Sequence, residues 1–176
     1  MAQGERSPER PQASDAGSPR LVVAAALVWL DLDPATLLVQ RRAPEARHGA
    51  GKLELPGGKL ERGEAPRAAL ERELVEEWGP AAAQLGVGPV AEVLHHCYPP
   101  PGPEVILIVF HVDGRAWSGP RWRARAVVEA GVEIAAFPAA SLPLDDFLAA
   151  DRPFLAAIAA GEVRPPRAWS AGGGGS

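Results

Sequence analysis

Apolar residues along this chain follow spacings that predict strands in some segments and helices in others. Residues 21–30 (LVVAAALVWL) are apolar throughout, which predicts a buried strand. Residues 36–41 (TLLVQR) predict a second strand, and the Asp33-Pro34 turn before it predicts a hairpin. Further strands are predicted at 53–55, 90–96, 104–112 and near 132–137. We therefore expect a β-sheet of several strands.

Two helices are predicted among these strands. Within 66–78, Leu70, Leu74 and Trp78 recur at every fourth position, which places them on one helical face. A proline in the first turn and a glycine directly after the last residue suit the two ends of this helix. A final helix is predicted at about 152–160. Strands interspersed with helices predict a mixed α/β (α+β) layer fold.

The two ends of the chain differ in composition from the middle. Residues 1–20 are rich in proline, serine, glycine and charge, and we expect them to be disordered. Residues 163–176 finish in GGGGS, which predicts a flexible C-terminal tail. One folded domain is therefore predicted for residues 21–162.

Composition narrows the classes of function. A chain of 176 residues with 47% apolar residues can build one sizeable core, and its net charge of −4 argues against duplex nucleic-acid binding. The apolar run at 21–30 is too short to span a bilayer, so no membrane partner is expected. Cys97 is the only cysteine, which excludes an internal disulfide and favours a cytoplasmic location. The oligomeric state is left open.

Three glutamates of the first predicted helix are the candidate chemistry. Glu73, Glu76 and Glu77 share one helical face, where like charges repel one another unless a cation lies between them. Carboxylate oxygens select Mg²⁺, Mn²⁺ or Ca²⁺ over zinc. The alternative is an ordinary solvated acidic face.

A turn with two glycines precedes this helix. In residues 56–59 (PGGK), Gly57 and Gly58 let the backbone approach a ligand closely. Such a turn can direct a carbonyl or amide groups at a metal–phosphate unit. A metal site between the turn and the helix is therefore the hypothesis.

The stretch from 58 to 80 resembles the Nudix box, G-x5-E-x7-R-E-U-x-E-E-x-G-U, where U is a bulky apolar residue. The matching positions are Gly58, Glu64, Arg72, Glu73, Leu74, Glu76, Glu77 and Gly79, while Pro80 replaces the final apolar residue. Segments 41–64 and 145–155 are also similar to the MutT-like branch of the family. The resemblance covers about residues 20–160 and implies the Nudix fold, an α/β/α sandwich around a mixed β-sheet.

The resemblance implies a role for each acidic residue of the box. The metal ligands would be Glu73, Glu76, Glu77 and the Gly57 carbonyl, with Glu64 in support, and the ion would be Mg²⁺ with Mn²⁺ as a substitute. Arg72 would pair with the glutamates and orient them. An ordinary surface salt bridge is the alternative for Arg72.

A carboxylate must also take the proton of the attacking water. Glu73 is one candidate for this general base. MutT-like enzymes also use an acidic residue on a later loop, and Glu129 falls near that place, with Glu133 as its rival. A solvated loop glutamate is the alternative.

Five residues are assigned to the substrate. Arg42 matches an arginine that contacts phosphate or sugar in the branch, and Lys59 lies in the diglycine turn. Asp151 matches the position that contacts the base edge, where guanine-specific members carry Asn, and a helix N-cap is its alternative. Leu55 and Phe147 are candidates for the base pocket or for the core.

The implied function is Mg²⁺-dependent cleavage of a nucleoside triphosphate, such as 8-oxo-dGTP or a CTP-like substrate, to nucleoside monophosphate and pyrophosphate. Tyr98, 18 residues past the box, keeps dinucleoside polyphosphates and other nucleoside diphosphate derivatives open. A non-catalytic nucleotide-sensing module is the alternative of another class, although such modules tend to lose box glutamates. His95 and His96 are interpreted as structural or pocket-lining residues, not as metal ligands.

Overall fold

The fold is described by a computed structural model for residues 19–170. Most of the predicted N-terminal tail and the GGGGS segment lie outside the described residues, so the expectations for them stay predictions. Within residues 19–170, no helix combines the length and the apolar character needed to cross a membrane.

The regular elements agree closely with the apolar spacings. The strands are β1 (Arg20–Leu32), β2 (Ala35–Arg41), β3 (Leu53–Glu54), β4 (Gly57–Lys59), β5 (Gly86–Cys97), β6 (Glu104–Asp113) and β7 (Glu133–Pro138). The helices are α1 (Pro66–Trp78), α2 (Arg152–Ala159) and the single turn α3 (Arg167–Ser170). Helix α1 has both of its predicted ends, because a proline and a glycine delimit it.

Two elements differ from the sequence-based expectation. The diglycine segment was predicted as a turn, but it forms β4 and pairs antiparallel with β1. Helix α3 lies inside the predicted C-terminal tail, so the first part of that tail is ordered. The reason is Trp169, whose ring lies edge-on to His111 with centroids 6.2 Å apart and whose carbonyl accepts a hydrogen bond from Arg115 at 2.9 Å.

Strand β1 is the centre of a mixed seven-stranded sheet. It runs parallel to β6 on one side, and antiparallel to β2 and β4 on the other. Strands β3 and β7 both pair with β2, and β5 pairs with β6. This arrangement confirms the mixed sheet that the resemblance implied.

The sheet has a hydrophobic core on each face, because β1 alternates its side chains between them. One core contains Ala24, Ala26 and Val28 of β1 with Leu70 and Trp78 of α1. The opposite core contains Ala25, Leu27, Trp29, Phe154, Leu155 and Ile158, so α2 covers that face. Helices on both faces form the expected α/β/α sandwich, and a strand buried on both faces explains the continuous apolar run.

Candidate active site

Helix α1 holds the three glutamates above the sheet through its buried face. Leu70, Leu74 and Trp78 are buried, and the Trp78 indole N–H donates to Gln40 Oε1 at 2.9 Å. This hydrogen bond ties the last turn of the helix to β2. The carboxylates therefore project from a helix whose rotation and height are set by packing.

Arg72 lies at the centre of the acidic cluster. Its Nε and Nη2 donate to the two oxygens of Glu64, each at 2.9 Å. Its Nη1 donates to Glu73 at 2.9 Å and to Glu76 at 3.0 Å. The hydrogen bonds that Arg72 donates, first to Glu64 and then to Glu73, raise the pKa of Arg72 above its ordinary value. One planar guanidinium thus orients three carboxylates, as only an arginine fork can.

Glu64 is held by Arg72 and by the backbone. The hydrogen bonds from Arg72 and the N–H of Glu61 lower the pKa of Glu64 to about 2. Both of its oxygens are engaged with Arg72. This placement favours the supporting role over direct ligation of a metal.

The two glycines of β4 are required by close contacts. A Cβ at Gly57, whose φ is +142°, would collide with the Ala24 carbonyl of the neighbouring strand. A Cβ at Gly58 would collide with the carboxylate of Glu73. The absence of side chains therefore lets the Glu73 carboxylate lie directly against the β4 backbone.

Glu77 is the most buried carboxylate of the triad. Its Oε2 accepts from the Gly57 N–H at 3.1 Å and its Oε1 accepts from Gln40 at 3.0 Å. Burial raises the pKa of Glu77 to about 7, an effect that these two hydrogen bonds oppose and that the charges of Glu54 and Glu73 increase. A cation at this position would favour the ionised form.

A cavity of about 210 Å³ opens beside the cluster. All three residues of β4, Gly57, Gly58 and Lys59, line this cavity. Its other lining residues are Val23, Arg42, Glu54, Leu55, Tyr98, Val105, Leu107, Leu148, Ala150 and Asp151. The Arg42 guanidinium donates to Glu54 at 2.6 Å and to the His48 carbonyl at 3.0 Å. Polar groups and an apolar wall thus converge next to the carboxylates, as in many ligand sites.

Asp151 lines this cavity from the start of α2. Its carboxylate accepts from the Leu55 N–H at 3.3 Å and makes no cap hydrogen bond to the helix, so its side chain does not act as the N-cap. Burial raises the pKa of Asp151 to about 7. The carboxyl group therefore carries a proton over part of the physiological range and can then donate as well as accept.

Three predicted residues do not line the cavity beside the carboxylate cluster. Phe147 is fully buried in the core around α2 and does not line the cavity, whereas Leu55 does. Glu129 is exposed, and within residues 19–170 no hydrogen bond or ion pair joins its side chain to the cluster. Glu133 lines a separate cavity of about 440 Å³ that contains none of the box residues.

Two residues of the site were missed by sequence reasoning. Gln40 is 4% exposed and donates to both Glu54 and Glu77, at 3.1 and 3.0 Å. Glu54 connects this amide to Arg42. The sequence signal for this position was a polar Gln within the apolar strand TLLVQR. A buried amide needs hydrogen-bond partners, so such a residue indicates a polar site next to the strand.

The fold and this constellation agree with the comparison to known proteins. Residues 20–158 match the NUDIX domain family, and the chain belongs to this family. Within the family, its similarity is to MutT-like members.

Two relatives show which members of the family this chain is similar to. The chain is 32% identical to the 8-oxo-dGTP diphosphatase of Escherichia coli K12 over 122 residues, which cover 69% of this chain and 84% of that protein. It is 49% identical over 71 residues to a Mycobacterium tuberculosis protein provisionally named 8-oxo-dGTP diphosphatase 2. That match covers 39% of this chain and only 45% of the relative, less than half of its length.

A solved structure shows the same fold. The crystal structure of a MutT Nudix hydrolase from Burkholderia pseudomallei has a TM-score of 0.57 and 24% identity. The alignment covers 78% of this chain and 96% of that one. This likeness therefore concerns the fold alone.

Proposed function

We propose that this chain hydrolyses a nucleoside triphosphate, with Mg²⁺, to nucleoside monophosphate and pyrophosphate. The observation that carries the proposal is the carboxylate cluster around Arg72, which borders the cavity that contains Arg42 and Asp151. The Escherichia coli relative supports 8-oxo-dGTP as a candidate substrate. A CTP-like substrate is the second candidate within the same reaction.

The residues present fit a divalent metal. Glu73, Glu76 and Glu77 supply only oxygen donors, which suit Mg²⁺ and Mn²⁺. Because Gly58 has no side chain, the Glu73 carboxylate lies against the backbone of β4. The Gly57 carbonyl, a further oxygen donor, belongs to the same strand. These residues would hold the ion, which supplies charge neutralisation and activation of water when bound.

The chain's own residues provide the positioning. Arg72 orients Glu73 and Glu76, while Gln40 and the Gly57 N–H orient Glu77. Such fixed groups lower the cost of arranging the reacting phosphate. Glu73 is the best-placed candidate for the general base, since within the described residues no hydrogen bond or ion pair joins Glu129 to the cluster.

Different lining residues of the cavity would face the phosphates and the base. Arg42 and Lys59 line the cavity and would offer positive charge to the phosphates. Asp151 and Leu55 would face the base, where a protonated Asp151 can pair with a base edge that has one donor and one acceptor. This pairing suits a purine with an oxidised ring as well as other bases, so the base is left to experiment.

Tyr98 favours a second candidate substrate. It lines the cavity, and burial raises the pKa of its phenol. A phenol ring at the cavity wall can stack on a second base. Dinucleoside polyphosphates are therefore the alternative to nucleoside triphosphates.

A substrate panel with Mg²⁺ tests the proposal. The panel contains the canonical nucleoside triphosphates, 8-oxo-dGTP, CTP, ADP-ribose and dinucleoside polyphosphates, with products separated by chromatography. We expect turnover of at least one nucleoside triphosphate to monophosphate and pyrophosphate. Turnover of only ADP-ribose or dinucleoside polyphosphates would overturn the substrate assignment, and binding without turnover would favour a nucleotide-sensing module.

Matched variants test the metal site. Glu76→Gln should lose turnover by orders of magnitude, while the exposed Glu71→Gln on the same helix should keep it. A chelator should abolish turnover, and added Mg²⁺ should restore it. Full activity of Glu76→Gln, or activity that survives the chelator, would refute the assignment.

A further inference from the structure

The turn end of the β5–β6 hairpin brings together three metal-ligating side chains. His95 and Cys97 lie near the end of β5, and Glu104 begins β6. One ligand atom of each lies within 4.8 Å of the others. His95 Nε2 is 2.8 Å from Glu104 Oε1 and 3.7 Å from Cys97 Sγ.

The strand pairing explains why these side chains meet. His95 and Cys97 are two residues apart on one strand, so they point to the same face of the sheet. Cys97 is directly paired with Glu104 on the neighbouring strand. The third ligand comes from another strand, seven residues beyond Cys97, so the sequence alone does not bring the cluster together. His95 was accordingly interpreted there as a structural or pocket-lining residue.

This cluster lies on the opposite face of the hairpin from the substrate cavity. His96 packs edge-on against Tyr98 with ring centroids 4.4 Å apart, and it pairs with Val105. Tyr98 and Val105 line the cavity. Since neighbouring residues of a strand point to opposite faces, Cys97 points away from the nucleotide side.

We propose that His95, Cys97 and Glu104 form a second metal site, separate from the glutamates of α1, that binds a zinc-like transition-metal ion. An imidazole nitrogen, a thiolate and a carboxylate suit Zn²⁺, whereas the all-oxygen cluster suits Mg²⁺. His95 and Cys97 are exposed, so the site is open to solvent and water completes the four-coordinate shell.

Arg20 prepares the carboxylate for this role. Its Nε donates to Glu104 Oε2 at 2.6 Å, which leaves Oε1 directed at His95. Hydrogen bonds from Arg20 and then from His95 lower the pKa of Glu104 below its ordinary value. Glu104 is therefore ionised at neutral pH, while Oε2 stays anchored to β1.

Metal binding is balanced by proton release. The ion binds Cys97 as a thiolate, so the thiol proton goes to solvent. The Nε2 proton of His95, which faces Glu104, moves through solvent to Nδ1, and the hydrogen bond between His95 and Glu104 is replaced by one bond from each residue to the metal. The ion then joins β5 to β6 on either side of the turn 98–103. Occupancy would therefore stiffen the strand ends beside the Tyr98 wall of the cavity.

Cobalt titration of the metal-free full chain tests the site. Co²⁺ bound to a thiolate shows an intense charge-transfer band in the near ultraviolet, which carboxylate ligands cannot produce. Because Cys97 is the only cysteine, the band reports this site alone even when Co²⁺ also binds the glutamates of α1. We expect one equivalent of band-forming Co²⁺ per chain, displaced by Zn²⁺ and not by Mg²⁺.

Variants identify the ligands. Cys97→Ser and His95→Gln should lose the band, whereas His96→Gln, on the same strand but the other face, should keep it. Glu76→Gln should also keep the band, which separates this site from the proposed catalytic metal. Absence of the band in the wild type, or its persistence at full strength in His95→Gln, would overturn the proposal.

A second measurement needs no variant. Alkylation of Cys97 by iodoacetamide should slow by about tenfold when one equivalent of Zn²⁺ is added, because a coordinated thiolate is a poor nucleophile. Mg²⁺ should leave the rate unchanged. An alkylation rate that Zn²⁺ does not alter would also refute the site.

Discussion

The buried carboxylate of Glu77 makes the stability of the metal-free protein depend on pH. Its pKa rises from an ordinary value of 4.5 to about 7 in the folded chain. Between these values the folded state keeps a proton that the unfolded state has released. Stability must therefore fall as pH rises through this window, and the loss is complete above about pH 7.

The size of the effect follows from the displacement of the pKa. Each unit corresponds to about 1.4 kcal/mol, so ionised Glu77 costs the metal-free fold about 3 kcal/mol. Glu77→Gln removes the titration. The NH₂ group of the new glutamine faces another donor, either the Gly57 N–H or the Gln40 amide. This lowers the free energy of unfolding by about 1 kcal/mol, and by the same amount at every pH. The ionisation of Glu77 can therefore be separated from the lost hydrogen bond of Glu77→Gln only by its dependence on pH.

Urea unfolding in the presence of a chelator measures this dependence. Tryptophan fluorescence is a suitable signal because Trp78, in the last turn of α1, is fully buried. From about pH 5 to about pH 8, the wild type should lose about 2.5 kcal/mol more stability than Glu77→Gln. Mg²⁺ added at the higher pH should recover more stability in the wild type than in the variant.

Two controls make the comparison specific. Asp151 also has a pKa raised to about 7, so the same pair of chains is compared in an Asp151→Asn background. Glu71→Gln, on the exposed face of the same helix, should keep the full pH dependence of the wild type. Equal pH dependence in Glu77→Gln and wild type would refute the reasoning.

Three further substitutions follow from the site. Gly58→Ala forces its Cβ against the Glu73 carboxylate, and turnover at saturating Mg²⁺ should fall about a hundredfold while the circular dichroism spectrum is kept. Arg72→Lys removes the paired hydrogen bonds to Glu64. When activity is titrated with Mg²⁺, the affinity for the metal should be about 10–100-fold weaker than in the wild type. Asp151→Asn should remove a rise in KM above about pH 7 that wild type shows as this carboxyl ionises. Unchanged turnover, an unchanged titration or an unchanged KM profile would contradict the respective prediction.

Local signals explain what could be predicted from the sequence. Helix α1 is delimited by Pro66 and Gly79, and its apolar residues recur at the spacing of one helical turn. The box spans a single turn–helix unit, so its carboxylates and Arg72 could be named before any tertiary contact was known. The hairpin β1–β2 was predictable for the same reason.

Contacts between distant segments explain what could not be predicted. Gln40 joins Glu77 across 37 residues, and Asp151 joins Leu55 across 96 residues. Neither pairing has a periodic pattern, because each depends on the register of the sheet and on where α2 packs. The turn α3 was missed because a single, partly buried tryptophan, Trp169, decides its position within a segment rich in proline and glycine.

The parallel pairing of β1 with β6 has a consequence for synthesis of the chain on the ribosome. Arg20 pairs with Glu104 and Trp29 with Asp113, so one edge of the most apolar strand is not fully paired until residue 113 has emerged. A nascent chain shorter than this exposes an unpaired apolar strand edge, which is prone to associate with other chains. Fragments that stop before β6 should therefore aggregate, and chaperone demand should be greatest before that strand is made.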